Sequence, residues 1–421
     1  MYPFQFLSFA SLSRWVPFTF LSAIFLLFTT LEAEGAARYG LKELIKIALE
    51  KNPTVAVFQA NLKASQGELL TAKAIPNPEI AFEGGRGRSL QEPLSKGEYS
   101  ISINQLIERP RKRLYRKKTA ELGQQVARYE AEDFSLELVS EVKTTFYDLL
   151  LNKKEEEIAQ ETQGIVEAIL STVKLKVKTG EAPEFELVKA QVELLKATKE
   201  LRRARNRIVI ARARLNSLLG NSLEEGFDIV ANFTRPERRY TQDELLNYAL
   251  ERHPLIIRGK KDIEAKGYAL EMEKASVFPD ITFNASFDRE LDKESVIAGV
   301  SIPMPLWYRR GGEIVTAMAA RDKAEAEFLQ TRIELSRAIA QFYQDYQIAL
   351  DQLEVFEKGL LKQAKEALRI VEFSYRQGES GLLDLLDAQR VYRTTLLEYN
   401  QSFFELELSL ASLERTASGL P

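Results

Sequence analysis

Ala48-Leu49-Glu50-x-x-Pro53 recurs as Ala249-Leu250-Glu251-x-x-Pro254. The same step of 201 residues carries Pro78-x-Ile80-x-Phe82 onto Pro279-x-Ile281-x-Phe283. Further along, the step is 198: Gly180-Glu181 matches Gly378-Glu379, and Leu187-x-x-Ala190-Gln191 matches Leu385-x-x-Ala388-Gln389. Units of about 180 residues are far longer than a solenoid repeat. The chain therefore reads as one structure built twice, over residues 38–219 and 241–418, with 220–240 as the link between the halves.

Each half opens with a short amphipathic helix, predicted over 41–51 and 242–252, and a second near 54–74 and 255–277. Pro53 and Pro254 suit the first turn of the second helix, where a missing N–H costs no hydrogen bond. A strand pair follows in each half, near 79–106 and 280–302. Tyr99, Ile101 and Ile103 face one way, while Ser100, Ser102 and Asn104 face the other. Ile281 to Asp288 alternates in the same manner. Such period-two patterning requires one apolar face and one wet face. A soluble sandwich meets that requirement, and so does a transmembrane barrel with a polar lumen.

Beyond the strands, residues 111–178 and 313–377 contain no proline and are dominated by strong helix formers. Each predicts a helix on the order of 100 Å long. In the second, Leu335, Ile339, Phe342, Tyr346, Ala349, Leu353, Phe356 and Leu360 step alternately by four and three, a heptad seam. Gly180 and Gly378 mark the points where the chain turns back. The return helices, 184–219 and 382–417, are shorter and end partway along the long ones. The link 220–240 then lies at an equatorial level.

Four strands cannot close a barrel, and an open sheet edge in lipid leaves its N–H and C=O groups without partners. Oligomerisation supplies the missing strands. Two copies give an eight-stranded barrel filled by side chains, whereas three give a twelve-stranded one with room for a channel. The serine, threonine and asparagine faces suit a wet lumen, which favours more than two copies.

Composition removes several functions. The net charge of −3 gives no bulk affinity for nucleic acid. There is no cysteine, so thiol catalysis, thiolate metal sites and disulfides are absent. The one histidine, His253, stands where Asn52 stands in the first half and reads as a helix-boundary residue. No cluster of nucleophile, base or metal ligands predicts an enzyme, a cofactor or a metal site. Arg14, the apolar run Trp15 to Leu31 and the small residues Ala33, Gly35 and Ala37 read as a cleaved export signal over residues 1–37, with an uncleaved membrane anchor as the alternative. The basic run Arg109 to Lys118 follows directly on a candidate membrane strand and suits lipid headgroups at its rim.

The duplication, the two Ala-Leu-x-x-x-Pro openings, the Pro76-Asn77-Pro78 and Pro279-Asp280-Ile281 strand entries and Tyr375-x-x-Gly378…Leu383-Asp384-Leu385-Leu386-Asp387-Ala388-Gln389 together resemble the TolC-like outer-membrane efflux proteins. Asn104-Gln105-Leu106-Ile107-Glu108 and Ile302-Pro303-Met304-Pro305-Leu306-Trp307 look most like that family's CzcC-like heavy-metal branch. The resemblance implies a mainly α fold with a small β membrane part. It implies a homotrimer: a twelve-stranded β-barrel, four strands per protomer, in the outer membrane, and a long α-helical barrel in the periplasm. The partners implied are a periplasmic membrane-fusion adaptor, an inner-membrane efflux pump and outer-membrane lipid. The implied role is a channel without chemistry or cofactor.

The resemblance also assigns residues. Asp384 and Asp387 match the aspartates that ring the periplasmic entrance, and the helix-capping role of such first-turn acids is the plainer alternative. Tyr375 matches a gate tyrosine, with Glu186 where its acidic partner lies, and packing between helices is the alternative role for Tyr375. Ser380 stands where some members carry an arginine. Gly180 and Gly378 mark the adaptor-docking tip. The alternative from another class is a periplasmic coiled-coil adaptor or scaffold, which has one long hairpin flanked by compact β domains instead of two hairpins and isolated strand pairs.

Overall fold

The computed structural model describes residues 37–88, 95–236, 240–290 and 293–419. The export signal read over residues 1–37 lies, apart from Ala37, outside them, as do the tips of both strand hairpins. The first half runs β1 (Arg38–Tyr39), α1 (Leu41–Lys51), α2 (Pro53–Lys73), β2 (Glu79–Arg88), β3 (Ser95–Ile107), α3 (Pro110–Thr179) and α4 (Glu184–Leu218). A short strand β4 (Asp228–Ile229) lies in the link. The second half repeats the order as α5 (Gln242–Arg252), α6 (Pro254–Ala275), β5 (Ile281–Glu290), β6 (Lys293–Ser301), α7 (Gly311–Val355), α8 (Leu361–Gln377) and α9 (Leu382–Ala417). With 70 residues, α3 is about 105 Å long at 1.5 Å per residue.

The four long strands form one antiparallel sheet in the order β2-β3-β5-β6. Its register sorts side chains by face. Phe82, Ile101, Phe287 and Val296 form one row across all four strands, and Ile80, Ile103, Ala285 and Ala298 form the next. The opposite face carries Glu83, Ser100, Asp288 and Ser295, then Glu79, Asn104, Asn284 and Gly299. The apolar face is uncovered: Val296 is 79% exposed and Ile80 71%. A sheet in water buries such a face. No described helix is long and apolar enough to cross a membrane.

The second long helix departs from the continuous one predicted over 313–377. Between α7 and α8 the residues Phe356–Leu360 form a wider π turn, and Gly359 takes φ 133°, a conformation open essentially to glycine alone. The break inserts one residue into the seam. Leu335, Ile339, Tyr346, Ala349 and Leu353 are buried, as the heptad reading requires. Continued unbroken, that pattern would next bury 356, 360, 363, 367, 370 and 374. Instead Leu360 is exposed, and the buried positions are Ala364, Leu368 and Tyr375, each one residue late. A π-bulge is such a single-residue insertion. The strong helix formers on both sides conceal it in the sequence.

Three apolar cores hold the helices. One packs α1 against α3 and α4, the second packs α5 and α6 against α7 and α9, and the third lies at the far ends of α3, α4, α8 and α9. A chain of rings joins the first two. Phe146 meets Tyr147, Tyr147 stacks near Phe233 of the link, Phe233 stacks on Phe403, and Tyr399 connects Phe403 to Phe356 at the break. The link is anchored further by β4, which pairs in parallel with β1, and by the Lys153–Asp228 ion pair at 2.6 Å.

The two halves repeat one joint with different chemistry. Asn52 Oδ1 accepts from the Thr54 N–H at 2.8 Å, and its Nδ2 donates to the Leu218 carbonyl at 2.9 Å. His253 does the same: Nδ1 accepts from the Leu255 N–H and Nε2 lies 3.2 Å from the Arg415 carbonyl. Each side chain caps a helix and ties it to the end of a return helix. Only the neutral Nε2–H tautomer satisfies both contacts. Burial is the main cause that lowers the His253 pKa to about 4, from an ordinary 6.5. A histidine with a depressed folded pKa contributes stability that is present above pH 6.5 and lost as pH falls toward 4. His253→Asn should therefore keep the joint and remove about 3 kcal/mol of acid sensitivity. Melting of the purified protein at pH 7 and pH 4.5 checks this. The wild type should lose more Tm than the variant, and equal losses would count against it.

Candidate functional site

The sequence-marked residues converge at the end of the molecule farthest from the sheet. Both hairpins turn there on glycine. Gly180 and Gly378 have φ 80° and 81°, and the turns close by matched bonds: Glu181 N–H to Lys176 O at 2.8 Å, and Glu379 N–H to Ser374 O at 2.9 Å. These are Schellman caps, which need a left-handed residue. An added Cβ would meet nothing within 4 Å at either glycine, so the constraint is conformational and the space around the turns is open.

Tyr375, in the last turn of α8, is buried against Val173, Ala190, Leu382 and Leu385. Its hydroxyl pKa is raised, first by burial and then by the Glu186 carboxylate at the start of α4. The fold thus brings Tyr375 and Glu186 together across the two hairpins. The hydroxyl has no hydrogen-bond partner within 3.5 Å, so the pair is a close approach without a formed bond. Ser380 turns inward on its own hairpin, donating to the Val371 carbonyl at 3.3 Å.

At this end a hydrogen bond between the hairpins comes from Lys176. Its ammonium donates to the Tyr375 carbonyl at 2.7 Å and lies 4.5 Å from the centroid of the Tyr375 ring. Sequence reasoning missed it. Lys176 sits among other lysines in the last turn of α3, where cations are favoured anyway, and its partner is 199 residues away.

Asp384 and Asp387 are both exposed on one face of α9, and each has a local partner. Asp384 Oδ2 accepts from the Gly381 N–H at 3.0 Å and completes the cap of the helix. Asp387 forms an ion pair with Arg390, one turn on. Arg390 was not singled out in the sequence, although its i,i+3 spacing from Asp387 was a legible signal. Asp387 and Arg390 also line a groove of about 360 Å³ between α3, α4 and α9, together with Lys189, Glu193 and Lys196. Among the described residues, no group of three or more His, Cys, Asp or Glu side chains could hold a metal ion.

A family model described as "Outer membrane efflux protein" matches residues 44–221 and 245–416, one segment for each half of the duplication. The chain belongs to the outer membrane efflux protein family. It is an outer-membrane channel with a long periplasmic helical extension, in a family that forms trimers and works with an adaptor and an inner-membrane pump. Family members are channels and not enzymes. The chain is 25% identical over 370 residues to the cobalt-zinc-cadmium resistance protein CzcC of Cupriavidus metallidurans, covering 87% of each. It is 21% identical over 410 residues to the pyoverdine export outer membrane protein OpmQ of Pseudomonas putida, covering 90% of this chain and 86% of that one. The crystal structure of CusC superposes with a TM-score of 0.77 at 17% identity, covering 91% of this chain and 93% of that one.

The Lys176 tie generates a test. Lys176→Met keeps the length of the side chain and removes both the charge-assisted hydrogen bond and the ring contact. The expected cost is about 1–2 kcal/mol, because Lys176 is only partly buried. Amide exchange over residues 370–385 should rise roughly tenfold while exchange in the sheet is unchanged. Unchanged exchange at this end would show that Lys176 holds nothing there.

Proposed function

We propose that three copies of this chain form the outer-membrane exit duct of a heavy-metal cation efflux assembly. The observation that carries this is the sheet: four strands, one lipid-suited face, one polar face, and two edges, β2 and β6, that pair with no other strand among the described residues. Three copies joined edge to edge give twelve strands around a lumen. Cation cargo is supported by the relationship to a cobalt-zinc-cadmium resistance protein and by the polar face, which bears Glu79, Glu83, Glu98, Asp288 and Glu290. Protein in detergent should have a mass near three times the mature chain. A stable, detergent-free soluble monomer would sink the assembly. A deletion strain should be sensitized to cobalt, zinc or cadmium, and equal growth on these metals would redirect the search for cargo.

The far end is the proposed periplasmic entrance. Gly180 and Gly378 mark the adaptor-docking turns, supported by the exposed apolar side chains around them: Leu175, Phe185, Val188, Phe373 and Leu383. Tyr375 and Glu186 are the proposed gate pair, and Asp384 and Asp387 line the constriction. Threefold repetition places these carboxylates around one pore, which favours cations. The Arg390 partner offsets part of that charge. Asp384→Ala with Asp387→Ala should lower cation selectivity and weaken block by divalent cations added from the periplasmic side. Single-channel recording in planar bilayers measures both. Unchanged selectivity and block would leave the two aspartates as helix-capping and surface-pairing groups only.

A further inference from the structure

The basic run at the foot of β3 does not act as one patch, because its neighbours take most of it apart. Lys112 pairs with Asp280 at 2.5 Å and Arg116 pairs with Glu108. Lys117 and Lys118 both pair with Glu121, and Arg113 donates to the Lys73 carbonyl at 2.8 Å. Two cations remain. The Arg109 guanidinium lies 4.8 Å from the centroid of the Phe278 ring, and Arg111 is exposed with no ion pair among the described residues.

Both line a cavity of about 600 Å³ between the first turns of α3 and the last turns of α6. Pro110, Tyr115, Glu271, Lys274, Ala275 and Phe278 complete its lining. Glu271 is paired with Lys274 at 2.7 Å, so the cavity keeps an excess of positive charge. Its walls are therefore of two kinds, cationic heads and an apolar floor of aromatic and aliphatic carbon.

Its place in the fold identifies the occupant. Arg109 lies two residues past Ile107, at the end of β3, and Phe278 lies three before Ile281, at the start of β5. Arg109 is exposed, with extended backbone, just past the end of β3. The cavity therefore opens where the lipid-suited band ends. Strands β3 and β5 are the two inner strands of the sheet. A neighbouring copy joins at β2 or β6, so the cavity sits at the middle of the protomer's arc, away from both seams.

We propose that this cavity is a binding site for one anionic phospholipid of the periplasmic leaflet. Arg109, Arg111 and Lys274 hold the phosphate, while Phe278, Ala275 and Tyr115 pack on the glycerol and the upper acyl chain. Cations beside an apolar floor at the bilayer edge match an anionic headgroup that carries its own hydrocarbon. The inference rests on the reading that the sheet lies in the membrane.

Native mass spectrometry of the detergent-purified full-length protein tests it, with phosphatidylglycerol as the probe. One phosphatidylglycerol per protomer should survive on the trimer, and phosphatidylcholine should be retained at least fivefold less. Millimolar inorganic phosphate should not displace the lipid; displacement would mean a simple anion site and would overturn the proposal. Arg111→Ala with Lys274→Ala breaks no contact between elements and should cut retention at least fivefold. Arg111→Lys with Lys274→Arg should restore it. Equal retention in the alanine variant, or equal binding of both lipids, also overturns the site. The same spectra report the oligomer, so a trimer without bound lipid sinks this site alone, whereas a chain that forms no trimer sinks the membrane reading beneath it.

Discussion

A strand edge in hydrocarbon has nothing to bond to except another strand. In this chain β2 and β6 each present such an edge, about ten residues long, on either side of a four-stranded sheet. Each unmet N–H and C=O would cost several kcal/mol in lipid. The duplication follows from that constraint. Each half supplies one strand pair and one helical hairpin, so the pairs lie side by side in the sheet and the hairpins lie side by side below it. A copy of the chain then continues the pattern at each edge with the geometry the two halves already share.

Holding the halves in step falls to the middle of the molecule. There the link threads Phe233 between rings from the first core and the second, and β1 pairs with β4 to pin the chain's described start against the link. The α3–α9 interface at this level carries polar groups at a cost. Burial raises the Glu407 carboxyl and the Tyr147 hydroxyl above their ordinary ranges, and it lowers the Lys143 ammonium. Lys143 nevertheless finds Glu414, and Arg415 faces Glu137. A belt of this composition fixes the register between long helices, because sliding by one turn would leave each of these groups alone.

The parts of this architecture that were legible are those with a period. Strand alternation, proline at the first helical turn and glycine at the hairpin turns each state a local rule, and the chain states it twice. Tyr375 and Glu186 were nameable only through resemblance, since their meeting depends on how two hairpins pack. What stayed hidden lacked a local signature. β1 and β4 have two residues each, too few for alternation to register. Lys176 meets its partner only in three dimensions. Gly359 sits in a run of helix formers whose propensity outweighs one glycine. The reading of Asp384 and Asp387 as a pair was sound for spacing and silent on Arg390, which changes the charge they present.

The extra residue at the Gly359 break has a mechanical meaning. Twist passes along a coiled coil because every knob is locked in a hole, and one extra residue rotates all later knobs by about 100° relative to those before. Above the slip, α7 is keyed to the equatorial core; below it, α8 is keyed to the core at the far end. The first hairpin has no counterpart, since α3 runs through 70 residues in one helix. One protomer therefore sets a rigid strut beside a jointed one. In a ring of such protomers continuous and broken struts would alternate, each broken one beside an unbroken neighbour.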